Sequence, residues 1–206
     1  MKHPHLKSAP SFCIAAVAAA AALGLASAHA QTENTNAATA KARAAVAEFA
    51  ASLKKSLMEA MDAGGPKAAL AACQQIAPDV ARTASETHGL SIGRTALRVR
   101  NQANVPDEFE RRALEEFMAD IAGGTEPEKL ERIEIISDGT TRTLRYMKPI
   151  MMAEKPCAAC HGSNIAPEVR DTIKELYPQD TATGFTPGEL RGAFTVSMPL
   201  DGKAPK

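Results

Sequence analysis

Residues 129–150 read KLERIEIISDGTTRTLRYMKPI, two runs rich in Ile, Thr, Leu and Tyr that meet at Asp138-Gly139. An Asp-Gly pair tolerates the positive φ of a tight hairpin turn, and β-branched and aromatic residues on both sides favour strands. The stretch therefore predicts a β-hairpin with arms 129–137 and 140–150. Residues 190–200 alternate as one more strand, and 93–100 reads as extended. Upstream the period changes to that of a helix. In 40–61, Val46, Phe49, Leu53 and Leu57 form one apolar stripe that stops at Gly64-Gly65. Pro66 suits the first position of a second helix, with Leu70, Cys73, Ile76 and Val80 as its apolar positions, a kink expected at Pro78 and an end at Gly89. Further helices are predicted over 106–121 and 167–176. Helices first and antiparallel strands later predict an α+β domain.

Between the hairpin and the last strand stands Cys157-Ala158-Ala159-Cys160-His161. In the C-x-x-C-H pattern two thiols one helical turn apart add to the vinyl groups of a haem, and the adjacent imidazole reaches the iron from the same face. A dithiol redox pair or half of a zinc site are the alternatives. Zinc wants four ligands, and beyond the pentapeptide the chain expected after processing offers only Cys73 and His88. A thioredoxin-like dithiol belongs to a βαβ pattern, which is absent here. One covalent haem c is the expected cofactor, with Cys157 and Cys160 as attachment points and His161 as an iron ligand.

The N-terminus predicts export. Lys2 and Lys7 precede a short apolar run at 12–25, and Ala28-His29-Ala30 is an A-x-A cleavage pattern. The expected organisation is a cleaved signal peptide (1–30), a disordered linker (31–39), one haem domain (40–200) and a tail (201–206), with the mature protein in the periplasm. The run is too short to span a bilayer, so no membrane span is expected after cleavage. Cleavage would remove His3, His5, His29 and Cys13, leaving His88, His161, Cys73, Cys157 and Cys160. The formal balance, 24 basic against 24 acidic in the full chain, would become 22 against 24. No basic field for nucleic acid exists.

A group of residues around this framework carries a resemblance. Gly93-Arg94-Thr95, Arg98, Arg100-Asn101, Asn104 and Pro106-Asp107 precede the motif. Tyr177-Pro178, Asp180, Ala182, Gly184, Gly188 and Arg191-Gly192-Ala193 follow it. With Cys157 to Gly162, these residues resemble the PAS-like c-type haem domains, typified by a cyanobacterial haem protein with mixed His and Cys ligation. The likeness runs from Cys73 to Leu200. It implies N-terminal helices packed on an antiparallel PAS-like sheet that cups the haem, and a redox-sensing role. It also implies that Cys73 stands where the family places a cysteine ligand.

From the residues alone, Cys73 is equally a buried apolar thiol on a helix stripe. His88 is the rival ligand, Met147, Met151 and Met152 are others, and an open iron position is a further alternative. Arg94, Arg98 and Arg191, together with Arg100, are candidates to pair with haem propionates, because a guanidinium matches a carboxylate bidentately. A solvated strand face is the plainer reading of any one of them. Glu108, Glu110, Glu115 and Glu116 read as the exposed side of a helix. No nucleophile triad, phosphate loop or paired-carboxylate site is present, and no enzymatic activity is expected. Two functions remain: a redox or small-ligand sensor acting through exchange of the distal iron ligand, with a separate partner protein, or an electron carrier with fixed axial ligands.

Overall fold

The computed structural model describes residues 13–139 and 141–201, with side chains from residue 31 onward. The basic start of the expected leader, His3, His5, Thr140 and the tail beyond residue 201 lie outside the described residues. Two units are distinguished, residues 1–37 and 38–206. Within the first, residues 13–37 are helical. Among the described residues no helix is long and apolar enough to cross a membrane.

Helix α1, Cys13–His88, is broken only at Gly64 (φ −163°, ψ 21°) and Gly65 (φ 67°, ψ −161°). Gly65 is in the left-handed region that suits a residue without a Cβ, and Pro66 restarts the helix with its fixed φ. The two arms, 38–63 and 66–88, are therefore joined by a two-glycine turn, as the glycine pair predicts. At Pro78, where a kink is expected, the backbone dihedrals stay helical and the helix runs on to His88. Helix also covers 31–39, the segment read as a disordered linker, with Ala38 and Thr39 buried. Its alanines favour helix and its last turn already belongs to the core.

The sheet has the order β1-β4-β3-β2, all antiparallel. Its strands are β1 (Ser91–Thr95), β2 (Arg132–Ser137), β3 (Arg142–Met151) and β4 (Leu190–Pro199). One face carries Ile92, Leu144, Tyr146, Val196 and Met198, covered by Ala38, Ala42, Ala45, Val46, Phe49 and Ala84 of α1. The alanines let the helix backbone come close, and Phe49 meets Phe194 edge-on at 5.8 Å. The other face carries Met147 and Ala193 under Phe109, Ala113, Leu114 and Phe117 of α2 (Glu108–Ala122). The protein is thus an α+β fold with helices on both faces of a four-stranded sheet.

Two local expectations change. The extended segment 93–100 becomes a strand only over Ser91–Thr95. Beyond it the backbone turns to other partners: Val99 O accepts from Thr181 N (2.9 Å), and Arg98 O accepts from Arg191 (3.2 Å). Glu110, read as exposed, is buried. Its carboxylate accepts from Asp107 N in a capping box (3.1 Å), from Thr195 Oγ1 (2.7 Å) and from Arg145 (3.3 Å). Arg145 and Thr195 come from other strands, so a helix-only pattern could not reveal them.

Two sites test this packing. A Cβ built on Gly192 would lie 2.5 Å from Thr95 O and 3.0 Å from Ala96 Cβ. Gly192→Ala is expected to cost about 1–3 kcal/mol, measured by urea unfolding. At the α1–sheet seam, Arg43 donates to Glu131 (3.0 Å) and holds its carboxyl below the usual glutamate range. That contribution is present above the unfolded value of about 4.3 and is lost as pH falls through the depressed folded one. Because Arg43 is half exposed it is worth under about 1 kcal/mol. Glu131→Gln should lower stability at neutral pH by that amount, and the difference should shrink as pH falls below the usual glutamate range.

Candidate functional site

The motif sits between β3 and β4. Cys157 opens a short helix, α3 (Ala158–His161), in which His161 N donates to Cys157 O (2.9 Å). That turn puts the two thiols on different sides. Cys157 packs with Met152, Ala182 and Phe185. Cys160 packs on Leu70, Ile165, Val169, Ile173 and Tyr177, a cluster joining α1 to α4 (Pro167–Leu176). Both are free thiols, as is Cys73. Only glycine fits after the motif: a Cβ on Gly162 would lie 2.7 Å from Ala158 O. The next strand of chain is strapped alongside, with Phe185 N donating to His161 O and Gly184 N to Gly162 O, both at 2.9 Å.

The imidazole of His161 is fixed by this strap. Its Nδ1 lies 2.6 Å from Ala182 O, a contact that requires a proton on Nδ1. The Arg191 Nε approach at 3.3 Å is then a close packing contact, because a protonated Nδ1 has no lone pair to accept with. This tautomer leaves the Nε2 lone pair free, the arrangement seen in metal-ligating histidines. Burial, reinforced by Arg191 and Arg100, pushes the ring down to about 2, so it stays neutral.

Arg100 holds the strap to the motif. It forms an ion pair with Asp180 in which the side chains are 9% and 7% exposed, with Nε to Oδ1 at 3.1 Å. Its Nη2 donates to Cys160 O (2.6 Å) and Ala182 O (3.3 Å), and Asp180 accepts from Ala182 N (3.0 Å). Arg100 is therefore a structural clamp, with its charge already matched by Asp180. Among the described residues, the other three arginines named from sequence form no ion pair with a carboxylate. Arg94 makes no hydrogen bond among the described residues, lies within electrostatic reach of Cys73 and Tyr177, and is pushed down by burial. Arg98 donates to Thr181 O (3.1 Å) and stacks on Phe185 at 4.1 Å. Arg191 lies over the same ring at 5.3 Å and is pushed down to about 10 by burial, with Arg100 and Arg94 adding.

Cys73 comes to this site from the second arm of α1. Its thiol is pushed up by burial while Arg94 and Arg100 pull it down, and it acts electrostatically on Cys160. Gln74 Nε2 donates to Leu176 O (3.3 Å), docking this turn of α1 on α4. His88 is elsewhere: it bonds Glu48 at 2.9 Å, and it lies about 22 Å farther along the helix axis than Cys73 at the α-helical rise. Met147 is buried under α2, and Met152 packs against Cys157. Among the described residues no group of three or more His, Cys, Asp and Glu is arranged to hold a metal ion by itself.

These residues fit a tethered haem. Two free thiols are one turn apart, an adjacent neutral imidazole has its iron-facing nitrogen free, a third thiol lies within electrostatic reach, and beside that thiol the buried Arg94 guanidinium has no carboxylate partner among the described residues. The sequence reading missed the roles of Asp180, Ala182 O and Phe185. The first two were visible only as parts of the resemblance, because Arg100 and Asp180 are 80 residues apart.

Loss of the clamp tests its role. Arg100→Ala leaves Asp180 buried and unpaired and should cost about 3–5 kcal/mol in denaturant unfolding. Arg100→Lys should recover only part of this, because one ammonium cannot reproduce the fork to Asp180 and both carbonyls.

The model of the family described as Tll0287-like: Tll0287 matches residues 25–199. A solved structure described as the cyanobacterial heme-protein Tll0287 is similar at 26% identity and a TM-score of 0.50. The match covers 65% of this chain and 74% of that one. No curated protein matches the chain. With most of its length matched and the helices and antiparallel sheet in common, the chain belongs to the Tll0287-like family.

Proposed function

We propose that the protein is an exported haem protein that would carry one haem c, with Cys157 and Cys160 as its tethers and His161 and Cys73 as the residues that would hold its iron. It acts as a redox or small-ligand sensor through exchange at Cys73. The observation that carries the reading is the His161 ring: Ala182 O holds its Nδ1 at 2.6 Å, and burial keeps it neutral, so Nε2 is free to coordinate. The haem of the similar cyanobacterial structure and the C-x-x-C-H spacing support the cofactor. The leader-like N-terminus supports periplasmic export.

When bound, the haem would supply one-electron chemistry and an exchangeable iron position. The protein's own residues divide the rest. Arg100, Asp180 and Ala182 orient His161. Arg94 places positive charge beside Cys73, where it offsets part of the burial that raises the thiol and can meet a propionate. Cys73 belongs to a separate helical arm docked on α4, and a ligand on a separate element can leave and return. The signal would pass to a separate redox or signalling partner. No residue is assigned a catalytic role.

An electron carrier with fixed ligands is the second reading. A pair of imidazoles would suit it best, and the Glu48 contact of His88 (2.9 Å) counts against that pair.

Optical and electron paramagnetic resonance spectra of the ferric protein test the assignment. Cys73→Ala should abolish a thiolate-ligated low-spin signal, and identical spectra would refute Cys73 ligation. His88→Ala should leave the spectra unchanged. The reduced wild type should bind carbon monoxide as Cys73 is displaced; failure to bind would favour the carrier.

A further inference from the structure

An apolar cavity of about 360 Å³ lies between α2 and the segment 185–192. Leu97, Leu114, Met118 and Phe185 form much of its wall, and Arg98 and Arg191 stand in it. The sheet core is closed by other residues, and this cavity is left open on its flank: Met118 is 51% exposed.

Its charge is unbalanced. Arg191 packs Nε against His161 without a hydrogen bond and donates Nη1 to Arg98 O, and Arg98 donates Nε to Thr181 O. Among the described residues, Arg191 Nη2 and both terminal nitrogens of Arg98 have no hydrogen-bond partner. Both guanidinia face one ring, Phe185, at 5.3 and 4.1 Å. Asp180, the buried carboxylate nearby, is consumed by Arg100. Glu189 also lines the cavity, and its carboxylate accepts from Thr186 N at 2.7 Å. A part-buried Arg191 and an exposed Arg98, both with free donors, thus border an apolar space against one occupied anion.

We propose that this cavity binds a small amphipathic carboxylate, its tail on Leu97, Leu114 and Met118 and its head held by Arg98 and Arg191. Apolar surface and a charge-assisted fork are the two complements such a molecule needs. The site is separate from the iron-facing edge of His161, because Arg191 approaches the Nδ1 edge. Arg191 touches both the bound head and the imidazole, so occupancy would be felt at His161.

Octanoate titrated calorimetrically into the haem-loaded protein tests this. The expected result is saturable one-to-one binding. Arg191→Gln and Arg98→Gln should each weaken it at least about tenfold. Met118→Glu, an exposed change that adds a negative charge at the opening, should weaken it similarly, and octan-1-ol should bind far less tightly than octanoate. Circular dichroism checks that each variant is folded. Absence of saturable binding, equal affinity in the variants, or equal affinity for the alcohol would overturn the proposal. Absence of binding in protein that remains coloured after acid-acetone extraction would refute this site and leave the haem reading intact. Colourless protein that binds octanoate as described would do the reverse.

Discussion

The buried ion pair between Arg100 and Asp180, next to the Thr181–Val99 backbone bond (2.9 Å), joins two chain segments far apart in sequence. Arg100 leaves the sheet just after β1, and Asp180 precedes the strap that runs beside the motif. Their pairing places Ala182 O against His161 Nδ1 at 2.6 Å, and that bond sets both the ring's orientation and its tautomer. Removing two charges from water is costly, and the low exposure of both partners (9% and 7%) means the cost is incurred here. Good geometry and extra hydrogen bonds to two carbonyls offset it. A buried pair of this kind specifies an arrangement better than it stabilises one.

The electrostatics of the site follow from the same shortage of carboxylates. Four arginines converge on the motif and one aspartate answers them. Burial is the first cause of a neutral His161, and the arginines reinforce it, since protonation would add a fifth positive charge beside Arg191. A cofactor bearing carboxylates, or a carboxylate ligand in the α2 cavity, is the natural complement to such a field. The proposals for the two sites therefore have a common physical origin, but they use different arginines.

Much of the fold was legible. The Asp138-Gly139 turn, the glycine pair before Pro66 and the alternation in β4 each depend on residues adjacent in sequence, and each element formed where expected. What was not legible involved partners distant in sequence. Glu110 looked like one more exposed helix glutamate because Thr195 and Arg145, which bury and bond it, lie on two strands. Arg94, Arg98, Arg100 and Arg191 looked alike as solvated or propionate-seeking cations. Only their neighbours separate the clamp, the one beside Cys73 and the two around Phe185.

By itself the sequence determined the hairpin, the helical arms, the α+β order and a C-x-x-C-H turn with its donor set. Those features rest on local periodicity, on glycine and proline dihedrals and on the chemistry of five consecutive residues. Tertiary structure alone decided which nitrogen of His161 is free, that Cys73 and not His88 approaches the motif, and which arginine is already paired. Those outcomes depend on distances between segments tens of residues apart, and on how much water their packing excludes.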